Sequence, residues 1–129
     1  MSSDIAAVLA VMFGGAFGAI MRHFLIDGTH RIAGQAHYGT FLVNSIGCFV
    51  MGCLFSVVLA RELSESWRLF LITGFLGALT TFSTFSLDTI KLFQDGRVGH
   101  ALGYVVASNL SGLLLCVGGY ALVGRFMNH

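Results

Sequence analysis

Between Gly77 and Ser86 the chain reads GALTTFSTFS. Thr80, Thr81, Ser83, Thr84 and Ser86 bring five hydroxyls into ten residues, with Phe82 and Phe85 three positions apart among them. A hydroxyl donates and accepts hydrogen bonds without carrying charge, and the edge of a phenyl ring is partially positive. Such groups together can replace the water around a small polar species. On a helix, Phe82 and Phe85 share one stripe; Thr81, Thr84 and Asp88 share a neighbouring one; Thr80, Ser83 and Ser86 take another. Any one of these hydroxyls can instead bond back to the preceding turn. That accounts for one or two of them. A run of five beside Gly74 and Gly77 reads as an interrupted helix. The carbonyls an interruption frees must find a neighbouring helix, a water or a cation.

Other polar groups are few. Asn44, with Ser45 and Ser56, lies in one apolar segment, and Ser108, Asn109 and Ser111 lie in another. Interhelical hydrogen bonds explain such residues, and so does a path for a small polar solute. No Asp, Glu, Lys or Arg falls at the centre of an apolar segment; Asp88 comes nearest, with Lys91 close enough to pair with it. Intramembrane charges mark proton relays and cation sites. Their absence argues for a passive route, and a lining of donors without fixed carboxylates favours an anion over a cation.

The elements that position these groups follow from composition. The chain has 129 residues, 56% hydrophobic and 10% charged, with a mean hydropathy of +0.84. A soluble domain carries about a quarter charged residues. An all-α integral membrane protein is expected, one domain with spans at about 4–25, 38–60, 67–93 and 100–126. The first apolar run follows Asp4 without a basic region, so it reads as a span that is kept. Cys48, Cys53 and Cys116 sit in apolar runs and read as small apolar residues. A formal net charge of +1 leaves no basic patch for nucleic acid.

With four spans, Arg61, Arg68 and Arg125 fall on one side of the membrane and Arg22, Arg31, Lys91 and Arg97 on the other. Orientation is set by an excess of Lys and Arg on the cytoplasmic side. Three against four is no excess, so dual topology and an antiparallel homodimer are expected. The alternative is one orientation, with Arg22 too deep to count. An enzyme is not indicated: His23, His30, His37, His100 and His129 are scattered near span ends, and no GxSxG, HExxH or phosphate loop occurs.

GFLGALTTFSTFS (Gly74 to Ser86) resembles the signature of the Fluc/CrcB-type fluoride channels. GTFLVNSIG (Gly39 to Gly47) is similar to the family's second-span motif, and GGAFGAIMR (Gly14 to Arg22) to its first. The likeness in length and layout covers nearly the whole chain. The resemblance implies an antiparallel dual-topology homodimer in a bacterial inner membrane, with two pores carrying cytoplasmic fluoride out down its gradient. It assigns Phe82, Phe85 and Asn44 to the pore lining, and Thr40, Tyr104 and Ser108 to a polar track in which Asp88 stands where a glutamate often occurs. Ser83, Thr84 and Ser111 are expected along the same pathway. Arg22 is expected near the aqueous vestibule. The resemblance also implies a broken third span and a sodium ion at the dimer interface, on carbonyls that map to Gly77 and Thr80. Ala78, the proline-free HYGT and Gly112 depart from the family pattern. A proton-linked small exporter, a fluoride/proton antiporter and a non-transporting membrane subunit are the competing readings.

Overall fold

The computed structural model describes residues 3–60 and 63–127. Arg61, which enters the charge count, and His129 lie outside them. The described residues form helices and no strand. Two long helices, α1 (Ser3–Ala33) and α2 (Ala36–Leu59), come first. A segmented run follows: α3 (Glu65–Arg68), a π-helical stretch (Leu69–Leu76), α4 (Gly77–Leu79) and α5 (Phe82–Gln94). The last helix is α6 (Val98–Met127). Four runs, Ser3–Ala33, Ala36–Leu59, Glu65–Gln94 and Val98–Met127, are long and apolar enough to cross a membrane. Helix satisfies the physics of such a sequence. Every backbone group in hydrocarbon must be paired within the protein, and the chain has no proline to remove a donor.

The helices outlast the apolar spans. α1 has 31 residues, about 46 Å at 1.5 Å per residue, against a hydrocarbon core of about 30 Å. It continues through the polar RHFLIDGTHR region and stops at Gly34, whose φ of 74° reverses the chain while its N–H bonds the His30 carbonyl at 2.8 Å. α5 stops in the same way at Gly96 (φ 73°). There the Gly96 N–H meets the Phe93 carbonyl at 3.0 Å and the Arg97 N–H meets the Leu92 carbonyl at 2.9 Å, which is the Schellman pairing.

Two seams of small residues hold the helices together. α2 and α6 run parallel, with Ser45 beside Ser111, Gly52 beside Cys116 and Ser56 beside Gly124. A Cβ on Gly52 would overlap the Cys116 carbonyl, and one on Gly119 the Phe49 carbonyl. α1 and the π-helical stretch form the second seam: Gly14 lies under the Phe70 carbonyl and Gly18 under the Phe75 carbonyl. Lipid supplies no hydrophobic force between helices, so close backbone approach at small residues carries the association. The cysteines fit this pattern. All three are free thiols, and Cys48 and Cys53 face Gly112 and Gly119 across the first seam. Val43, Leu76 and Leu79 form a buried cluster tying α2 to the segmented run, and Leu92, Ala101 and Tyr104 tie α5 to α6.

Gly52→Ala is expected to destabilise the protein by about 1–3 kcal/mol, because a backbone carbonyl occupies the space its methyl needs. Gly103→Ala, where nothing lies within 4 Å, is expected to be neutral or stabilising. Thermal unfolding in detergent, followed by Trp67 fluorescence, checks both. Equal midpoints for the two variants would contradict the seam.

Candidate functional site

The site begins where helical geometry lapses. Thr80 (φ −82°, ψ 150°) and Thr81 (φ −149°, ψ 117°) are extended, so the Thr81 N–H has no helical acceptor, while its carbonyl, at the N-cap of α5, faces that helix's first turn. The Asn44 side chain of α2 supplies that acceptor and adds a donor to the carbonyl. The Thr81 N–H donates to Asn44 Oδ1 at 2.8 Å, and Asn44 Nδ2 donates to the Thr81 carbonyl at 3.2 Å. The carboxamide thus pairs with the strand-like residue as another peptide would. Thr81 also caps α5: its Oγ1 accepts the Thr84 N–H at 3.2 Å. The Ser83 and Thr84 hydroxyls are each 3.1 Å from the same oxygen.

This arrangement changes which carbonyls are free. In a continuous helix the Thr81 N–H would serve the Gly77 carbonyl and the Thr84 N–H the Thr80 carbonyl. Both donors are taken by side chains. Other hydroxyls bond back to their own helix: Thr80 to the Leu76 carbonyl at 2.9 Å, Ser86 to Phe82 at 2.9 Å and Thr89 to Phe85 at 2.8 Å.

Two grooves lie end to end along α6. The first, about 390 Å³, is bordered by Asn44, Thr80, Thr81, Phe82, Phe85 and Ser108 among others. Phe82 projects into the open, 76% exposed. Its ring centroid is 5.4 Å from that of Phe85, which is 5.3 Å from that of Tyr104. The second groove, about 520 Å³, is bordered by His37, Tyr38, Phe41, His100 and Tyr104 among others. Tyr104 and Ser108, four residues apart on one helical face, link the two. Tyr104 Oη and Ser108 Oγ are both buried and meet no well-aligned hydrogen-bond partner among the described residues, although the Thr40 hydroxyl stands beside Tyr104 Oη. An orphaned buried polar group costs about 1–3 kcal/mol, so this pair offers bonding capacity that the fold leaves for something else. Beneath them, Thr40 Oγ1 donates to Asp88 Oδ2 at 2.7 Å, both residues being buried.

Of the residues expected from sequence, Asn44, Phe82, Phe85, Tyr104 and Ser108 border these grooves, while Thr40 and Asp88 form the buried pair. Ser83 and Thr84 gather round Thr81 at the start of α5. Ser111 lies in the α2–α6 seam, its Oγ 3.3 Å from that of Ser45, with Gly112 at the groove instead. Arg22 is elsewhere: it borders a third groove, about 380 Å³, with His23, Asp27 and His30. Sequence reasoning missed Cys48 and Cys116, which border the first groove, and the placement of His37 and His100 on the second. A helical ladder could have found them. Asn44 and Cys48 are four apart on α2, and His100, Tyr104, Ser108, Gly112 and Cys116 follow each other at fours on α6. Among the described residues, no group of three or more His, Cys, Asp and Glu is placed to hold a metal ion.

Four helical runs long and apolar enough to cross a membrane indicate a multi-pass membrane protein. The family described as CrcB-like protein, Camphor Resistance (CrcB), matches residues 9–120, and the chain belongs to that family, as its motifs indicated. A protein of Desulfotalea psychrophila named fluoride-specific ion channel FluC is 38% identical over 123 residues, covering 95% of this chain and 96% of its own. Proteins of the same name from Rhizobium johnstonii (43% over 122 residues; 92% and 96%) and Pseudomonas aeruginosa (41% over 110; 84% and 86%) are similarly close.

Asn44→Leu removes the acceptor of the Thr81 N–H, leaving that donor unpaired in an apolar setting. A loss of about 1–3 kcal/mol is expected, read as a lowered unfolding midpoint in detergent. An unchanged midpoint would show that the carboxamide does not hold Thr81.

Proposed function

We propose that this protein is a fluoride-selective passive channel that lets cytoplasmic fluoride leave down its gradient across a bacterial inner membrane. The observation that carries the reading is the pair of orphaned buried hydroxyls, Tyr104 Oη and Ser108 Oγ, on a furrow whose first groove has no carboxylate in its lining. Membership of a family whose relatives are named fluoride-specific ion channels supports it.

Fluoride is small and strongly hydrated, so it crosses only where donors replace its water, as in other selectivity filters. Asn44 spends one of its two amide hydrogens on the Thr81 carbonyl and keeps the other for an anion in the groove. The Phe82 and Phe85 ring edges face an anion favourably. The Ser108 and Tyr104 hydroxyls, about 6 Å apart along α6, hand the anion from one groove to the next. A larger, less hydrated halide gains less from these donors than fluoride does. Thr80, Thr81, Ser83 and Thr84 maintain the lapse that sets this spacing, and Arg22 draws anions to the aqueous vestibule.

The furrow is open on one side in a single chain. We infer that a second copy, inserted the opposite way, closes it, giving two pores per antiparallel homodimer; the balanced Lys and Arg count supports this. The third crossing is then a pair of half-helices broken at Thr80–Thr81. The carbonyls of Gly77 and Thr80 suit a hard, monovalent cation at the dimer interface, because they are neutral oxygens without helical donors and no acidic cluster stands by. Sodium bound there would neutralise the carbonyl ends of the two breaks.

The buried Asp88 favours a second reading, proton-linked export, since intramembrane carboxylates serve proton relays. Its closure by Thr40 supports the passive one.

Liposomes loaded with potassium fluoride and chloride separate these readings. With valinomycin present, the protein is expected to release fluoride rapidly, retain chloride and move no protons. Equal release of chloride, or stoichiometric proton uptake, would overturn the proposal. The double variant Tyr104→Phe, Ser108→Ala is expected to slow fluoride release about tenfold or more. Phe82→Ile and Phe85→Ile are expected to cut flux without unfolding the protein; normal flux in these variants would remove the residues from the pathway.

A further inference from the structure

The second groove has a feature that the hydroxyl track does not use. It opens at the first turns of two parallel helices: His37 and Tyr38 come from the start of α2, Gly99 and His100 from the start of α6. The first N–H groups of each helix have no partner within it, and each such end carries partial positive charge. Gln35, which precedes α2, makes no side-chain cap. Its Oε1 instead accepts from Arg97 Nη1 at 2.8 Å. That bond straps the two helix starts together and holds the guanidinium there. The His37 ring meets the Tyr104 ring edge to face, with centroids 5.4 Å apart. Burial of the His37 ring opposes its protonation, as do the neighbouring Arg97 and His100, while Asp88 favours it. Tyr104 is only 8% exposed, and its hydroxyl, beside Thr40, meets no well-aligned partner among the described residues.

We propose that His37 and His100, with Arg97 held at the adjoining helix starts, form an anion-holding site in this groove, taking a small hard monovalent anion and delivering it to Tyr104. The site deepens the channel reading and rests on it for the identity of the anion. Its strength follows from local charge. With both imidazoles neutral, Arg97 and Asp88 offset one another and only the helix ends attract. Each imidazole that takes a proton adds a unit of positive charge facing the groove. An anion held there favours the protonated rings, and protonated rings favour the anion; the two effects are the same coupling seen from either end. Histidine is suited to this work. A permanent cation on both helices would hold the anion too long to let it pass, whereas conduction needs binding that is easily reversed.

The test is a histidine titration by NMR on the full-length protein in nanodiscs, with ring-labelled histidine and signals assigned through His37→Gln and His100→Gln. Potassium fluoride is compared with potassium gluconate at equal ionic strength. Fluoride is expected to raise the midpoints of His37 and His100 by about half a pH unit and to leave His23 and His30 unmoved. Midpoints that are equal in the two salts, or that rise equally at all four histidines, would overturn the site. A second arm measures voltage-driven fluoride current in planar bilayers between pH 8 and pH 5.5. Current is expected to rise severalfold as pH falls, with the reversal potential fixed, and the double variant His37→Gln, His100→Gln is expected to stay at the high-pH level. A rise that persists in the double variant would overturn the site as well. If fluoride moves the two midpoints but carries no current at any pH, the anion site stands and the channel reading falls.

Discussion

A peptide group that leaves helical geometry in an apolar setting must still be paired, and here one side chain does it. Asn44 bonds both the N–H and the carbonyl of Thr81. Because the Thr81 N–H is held there, it is lost to Gly77; because Thr81 Oγ1 caps α5, the Thr84 N–H is lost to Thr80. One asparagine therefore stabilises an extended dipeptide and takes the helical donor of the Gly77 carbonyl, while the Thr81 hydroxyl takes that of Thr80 at the start of α5. The start of α5 in turn sets where Phe82 and Phe85 point and brings Phe85 against Tyr104. Each polar feature of the furrow is registered to that contact.

The scaffold allows this through close approach. Gly52 and Gly119 bring α2 against α6, and Gly14 and Gly18 bring α1 under the π-helical stretch. Backbone contact of this kind fixes helix spacing more tightly than interleaved long side chains do. Leu76 and Leu79 then anchor the far side of the lapse in a cluster with Val43, one residue before Asn44. The same turn of α2 thus carries both the apolar anchor and the polar clasp. Thr40 and Asp88 add a second α2–α5 link one turn earlier, so the lapse is braced on both sides.

Much of this was legible in the residues. Hydropathy marked four helices long and apolar enough to cross a membrane, and the motifs around Asn44, Phe82 and Phe85 indicated the family. Element ends were less legible. α1 continues through Asp27 and Arg31, which read as a loop by charge, because a helix projecting past the hydrocarbon tolerates charge and an i,i+4 ion pair of 2.8 Å supports it. The bonding role of Asn44 was not readable either: polarity marks a residue as near the path but does not say which backbone group it will meet. Ser111 illustrates the same limit from the other side. It lies one position from the groove, and on a helix one position is a rotation of about 100°, enough to turn its hydroxyl into the seam with Ser45. His37 and His100 looked scattered because they are 63 positions apart in the chain, and only the parallel packing of α2 and α6 brings them to one groove.

The central claim is that uncharged donors along this furrow select fluoride by replacing its water. A planar-bilayer recording with fluoride on one side and an equal concentration of chloride on the other tests it most directly. The account predicts a zero-current potential displaced far from zero, with the sign of fluoride moving alone. A potential near zero would mean that the conduit does not distinguish the two halides, and the donor-lined furrow would lose its role.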